Sequence, residues 1–77
     1  MSTLEKVIEL MAEQLNVPAE KISVEKEIVK DLGADSLDVF QIIMGIEEEF
    51  DIEIPTEEAE KIASVGDAVE AIKNALN

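Results

Sequence analysis

Leu4, Val7, Ile8, Met11 and Leu15 recur at helical spacing and line one apolar stripe, which predicts a helix over residues 3–15. Ser2 and Glu5 stand just ahead of it as Ser-x-x-Glu, the pattern of a capping box. Asn16-Val17-Pro18 ends the segment, because proline disfavours helix at the residue before it. A second periodic segment runs from Ser36 to Phe50, with Asp35 as N-cap and Asp38 in the favourable first turn. Pro55 precedes a short helix over about residues 56–62, with Glu57 and Glu58 at its positive end. Ser64-Val65-Gly66-Asp67 reads as another cap, followed by Ala68, Val69, Ile72 and Leu76 on one face. No alternating strand pattern and no internal repeat is present. The expected fold class is all-α: a small four-helix bundle with three longer helices, one short helix and a long loop between the first and second helices.

Residues 16–35 make that loop long for a compact domain. Val17, Ile22, Val24, Ile28 and Leu32 recur along it as expected anchors to the core, with a single turn at residues 18–21. Long anchored loops are more often functional than decorative. This one ends on Ser36.

The second helix is apolar on two sectors. Val39, Ile42, Ile43, Ile46 and Phe50 gather on one broad face and read as core. Leu37, Phe40 and Met44 fall on a different sector, flanked by Gln41, Glu47 and Glu48. Such a helix is either sandwiched between elements or presents its second face to a partner. Either the loop lies over Leu37, Phe40 and Met44, or they form a docking ridge ringed by carboxylates. Met suits a surface that accommodates several shapes.

Composition narrows the choices. Seventy-seven residues make one domain, residues 1–77, near the size where a single core is barely sufficient. At 47% hydrophobic the chain is too apolar for an acidic disordered tail, despite a net charge of −13. Two Phe and no Trp or Tyr make the core almost wholly aliphatic. Between Asp31 and Glu60 stand eleven carboxylates and no Lys or Arg, so a basic protein surface is the natural partner. The same acidity also serves plain solubility. Nucleic acid is disfavoured, because phosphate contacts need basic side chains. No apolar span or signal core is read, so a soluble, intracellular monomer is expected, bacterial-cytoplasmic or within an organelle after processing.

Catalysis by the chain alone is not expected. There is no His to serve as base beside a hydroxyl and no Cys for redox or metal chemistry. No Gly-x-Ser-x-Gly elbow and no Gly-rich nucleotide loop occurs. Asp31, Asp35 and Asp38 do not meet calcium-loop spacing, since Ser36 stands where the loop needs Gly. No specific metal site is expected, only weak divalent binding among crowded carboxylates. Ser36, at a helix start, is either an ordinary helix-initiating serine or an attachment point for an anionic group. The unpaired N–H groups and partial positive charge of a first turn favour an anion there.

Asp31-Leu32-Gly33-Ala34-Asp35-Ser36-Leu37-Asp38 resembles the phosphopantetheine attachment motif of acyl carrier proteins. The resemblance extends through Glu47-Glu48-Glu49-Phe50, Ile52-Glu53-Ile54-Pro55, Glu58-Ala59-Glu60-Lys61-Ile62 and Ser64-Val65-Gly66-Asp67-Ala68. With Leu15-Asn16-Val17 it covers the whole chain. It implies that a phosphopantetheinyl transferase moves 4′-phosphopantetheine from coenzyme A to the Ser36 hydroxyl, with magnesium assisting. Growing fatty acyl chains would then ride as thioesters on the arm and pass to separate, basic-surfaced enzymes of fatty acid synthesis. By the same resemblance, Asp35, Leu37, Asp38, Phe40, Gln41, Met44, Glu47 and Glu48 map onto partner-binding positions. Gln41 stands where Glu is frequent, and Phe40 where a smaller aliphatic residue is usual.

A polyketide-type carrier remains the alternative within the same chemistry, and an unmodified acidic adaptor the alternative outside it. The aliphatic interior around Ile42, Ile43, Ile46, Ile54, Ala59, Ile62, Ala68 and Ile72 either opens to an acyl tail or is closed by its own packing.

Overall fold

The computed structural model describes residues 2–76. It contains α1 (Thr3–Leu15), a 3-10 turn (Ala19–Lys21), α2 (Ser36–Phe50), α3 (Thr56–Ala59) and α4 (Val65–Leu76). Helix α1 packs against both α2 and α4. Val7 and Met11 of α1, Ile42 and Ile46 of α2, and Val65, Ala68 and Ile72 of α4 are buried together. The four expected helices and the long connection are therefore observed, with no named strand among the described residues.

Each long helix is delimited by local chemistry. Ser2 Oγ accepts from the Glu5 N–H at 3.1 Å, and the Glu5 carboxylate accepts from the Ser2 N–H at 3.0 Å. Helices α1 and α2 end on left-handed Asn16 (φ 57°) and Asp51 (φ 53°), residue types that tolerate this backbone. At the start of α4, Ser64 Oγ accepts from the Asp67 N–H, and Asp67 Oδ2 accepts from the N–H groups of Ser64 and Ala63, all at 3.1 Å. These backbone donors hold the Asp67 carboxyl below its ordinary pKa, the Ser64 N–H contributing most. Lys6 Nζ lies 5.5 Å from the centre of the Phe50 ring, a cation–π link between α1 and the end of α2.

Three sequence expectations need correction. Helix α3 stops at Ala59, not near Ile62, because the next bonds tighten to a three-residue span: Lys61 N–H to Glu58 O at 3.0 Å and Ile62 N–H to Ala59 O at 3.2 Å. Leu76 lies on the exposed side of the last turn of α4 and not in its apolar face. Val24 is exposed as well. Its backbone oxygen accepts from the Gly66 N–H at 2.9 Å, so it holds the loop by its main chain.

The rest of the loop is tied down as expected. Ile22 and Ile28 are buried, and Val17 and Leu32 pack against the core. The Ile28 N–H donates to Ala63 O at 2.9 Å and the Val65 N–H to Lys26 O at 3.0 Å, fastening the loop to the start of α4. Gly33 then reverses the chain with φ +77°, where a side chain would be strained, and the buried Ala34 pins the next residue. Ser36 follows directly.

Candidate functional site

Asp35 and Asp38 close a capping box around the first turn of α2. Asp35 Oδ1 accepts from the Asp38 N–H at 2.9 Å, and Asp38 Oδ2 accepts from the Asp35 N–H at 3.3 Å. Four N–H groups open any α-helix without an intrahelical partner. The box uses the first and fourth, and those left over belong to Ser36 and Leu37. Ser36 is the first helical residue and is exposed. Its hydroxyl therefore stands in water beside two backbone donors at the positive end of a helix spanning 15 residues. Both flanking carboxylates are committed to the cap.

Along α2 the apolar ridge is uncovered: Leu37 is 62% exposed, Phe40 61% and Met44 46%. The loop does not lie over it. Glu48 is exposed beside the ridge. Gln41 is also exposed, and its Oε1 accepts from Gln14 Nε2 of α1 at 2.7 Å. Gln14 Nε2 further reaches Asp38 Oδ1 at 3.4 Å, so one α1 side chain braces two of the expected partner-binding residues. Glu47, like Asp38, is half-buried, and its Oε2 accepts from the Ile54 N–H at 2.8 Å.

A cleft of about 350 Å³ opens at Ser36 and runs between α2 and the α3 region. Val39, Ile43, Ile54 and Ala59 make its apolar wall, with Thr56 and Glu60 on the far rim. Phe40 and Met44 line this cleft and also the outer groove on the ridge side, so they form a wall shared by both. Of the interior residues named from sequence, Ile46 and Ile72 are fully sealed. The opening lies on the α3 side of the core, not through its centre.

A family model described as "Phosphopantetheine attachment site" matches residues 5–72. The acyl carrier protein of Clostridium acetobutylicum is 56% identical over 69 residues, covering 90% of each chain. That of Helicobacter pylori is 55% identical over 74 residues, covering 96% of this chain and 95% of its own. The chain belongs to the acyl carrier protein family. A solved structure described as an acyl carrier protein from Mycobacterium tuberculosis superposes with a TM-score of 0.90 at 33% identity, covering 95% of this chain and 97% of that one.

Family membership makes the covalent group 4′-phosphopantetheine, and the protein a carrier and not a catalyst. The residues present fit such a group, because an exposed hydroxyl, two free N–H donors and an apolar cleft converge at one helix end. Sequence reasoning missed the braces from Gln14 and the inward bond of Glu47. It also missed Thr56 and Glu60 as the cleft rim. The first two leave a faint trace, a polar residue near an otherwise apolar helix face and a lone N–H before Pro55. The rim exists only in three dimensions.

Proposed function

We propose that Ser36 is the attachment point and that the protein, acting as a single domain and a monomer in the cytoplasm, serves fatty acid synthesis. The observation that carries this reading is the exposed Ser36 hydroxyl at the first turn of α2, at the mouth of an apolar cleft. Ser36 Oγ bonds to the coenzyme A phosphorus that bears the pantetheine. The phosphoanhydride bond to the nucleotide half breaks, and that half departs with the bridging oxygen. The hydroxyl proton goes to a base of the transferase, since this chain has no His and the residue three after Ser36 is Val39, not Lys. Ser36 and Leu37 N–H groups then offset part of the repulsion between the phosphodiester and the carboxylates of Asp35 and Asp38.

When bound, the arm supplies a terminal thiol that holds acyl chains as thioesters. This chain's own residues supply the rest. Val39, Ile43, Ile54 and Ala59 offer an acyl tail an apolar surface out of water. Asp35, Asp38, Glu47 and Glu48 guide a basic enzyme surface towards α2, and Leu37, Phe40 and Met44 dock against it, with Gln41 as a neutral contact.

Intact mass after incubation with coenzyme A and a broad-specificity transferase tests the reading. A gain of one phosphopantetheine that is lost in Ser36→Ala is expected. An unchanged mass would leave an acidic adaptor that docks through α2 alone.

A further inference from the structure

Helix α2 contains a glycine that its own packing does not require. Gly45 lies in the helix interior without a positive φ. A Cβ there would meet Leu10 Cδ2 at 3.6 Å, an ordinary contact. Alanine is the better helix residue at such a position, so glycine gives up fold stability with no return inside the molecule. What it creates is a recess. Leu37, Phe40, Met44 and Glu48 surround an outer groove in which Gly45 is the one position without a side chain. On its other side Gly45 borders the α1–α2 seam beside Glu13 and Gln14.

We propose that the recess at Gly45 receives an apolar side chain from the basic surface of the phosphopantetheinyl transferase that modifies Ser36. The inference rests on the carrier reading and adds to it a specificity-determining position. Charge complementarity selects the partner: Glu48 lines the outer groove, Glu13 lines the seam, Asp38 is tied to the seam through Gln14, and no Lys or Arg occurs between Asp31 and Glu60. Distance selects it too. Nine residues of helix place Gly45 about 13 Å along the axis from Ser36. A standard interface covers about 800 Å² on each partner, a disc of radius about 16 Å. The same nine residues turn Gly45 about half way round the axis from Ser36, so an enzyme that reaches the Ser36 oxygen covers the recess by seating across the ridge of Phe40 and Met44, which borders both sides. Leu37, Phe40 and Met44 protrude, so the recess at Gly45 is where an incoming knob fits.

Initial rates with coenzyme A and a broad-specificity transferase test this on the whole apo protein. Gly45→Ala is expected to melt about 4 °C or more above wild type, because helix propensity improves. Its KM as carrier substrate is expected to rise about three-fold, and that of Gly45→Leu about ten-fold, with kcat within about two-fold. If wild type takes up no phosphopantetheine, the carrier reading itself fails. If wild type is modified and both folded variants keep its KM, the recess is not a docking site. A lower melting temperature for Gly45→Ala would equally overturn the inference, since the glycine would then be serving the fold.

Discussion

Glu47 Oε2 takes the Ile54 N–H at 2.8 Å, stitching α2 to the segment that turns into α3. Ile54 is buried and is followed by Pro55, so its N–H lies outside any helix that could satisfy it. Both residues also line the cleft that opens at Ser36. A side chain on the acidic face thus doubles as the fastening of the cleft wall.

Removing that fastening has a predictable cost. Glu47→Ala leaves a buried donor without its partner and is expected to lower stability by about 1–3 kcal/mol. Glu47→Gln keeps a carbonyl oxygen in place and is expected to lose less than half as much. Urea unfolding of the three proteins checks both. An alanine variant as stable as wild type would show that the bond contributes nothing to the fold.

Gly66 behaves oppositely to Gly45. A Cβ at Gly66 would lie 3.1 Å from Val24 Cγ2 and 3.2 Å from Val24 O. The Val24 oxygen cannot retreat without weakening its 2.9 Å bond from the Gly66 N–H. Gly66→Ala is therefore expected to destabilise by about 1 kcal/mol, after the helix-propensity gain is subtracted from the overpacking cost. Thermal unfolding decides the sign, and a rise would mean that the loop gives way freely.

Acid should reveal the cap of α4. Backbone N–H groups of Ser64 and Ala63 hold the Asp67 carboxyl below its ordinary value of 3.8. A depressed folded pKa contributes stability that is complete above 3.8 and is lost as pH falls through the lower folded value. Because Asp67 is exposed, the contribution is expected to stay below about 1 kcal/mol. Melting temperatures of wild type and Asp67→Asn, compared from about pH 6 to about pH 2, isolate it from the other carboxylates. The gap between them should narrow only below 3.8. A constant gap would remove the carboxylate's charge from the account.

What was legible in the sequence follows from how local each signal is. The bounds of α1 and α2 rest on Ser2, Glu5, Pro18, Asp35 and Asp38, which act within one helical turn, and both helices match the residues expected. The exposed ridge of Leu37, Phe40 and Met44 follows from angular position on one helix, so it too was readable, although its exposure depended on where the loop lies. Val24 was misread because a β-branched apolar residue in a loop resembles a core anchor, whereas it holds the loop through its carbonyl. The brace from Gln14 and the bond from Glu47 to Ile54 depend on how α1 and the α3 region are set against α2, and no periodicity encodes that.

An acyl tail in the cleft should couple cargo to stability. Each methylene removed from water contributes about 0.8 kcal/mol at most, and less here because the cleft stays open on one side. Melting temperature is therefore expected to rise with acyl length and then level off, once the tail outgrows the wall formed by Val39, Ile43, Ile54 and Ala59. Ala59 is the smallest side chain on that wall and only half-buried, so enlarging it shortens the space without touching the sealed core around Ile46 and Ile72. Ala59→Leu should leave the unloaded protein close to wild type in stability and bring the plateau at a shorter chain. Identical length profiles for the two proteins would mean that the tail lies elsewhere. A profile flat in both would mean that it stays in solvent.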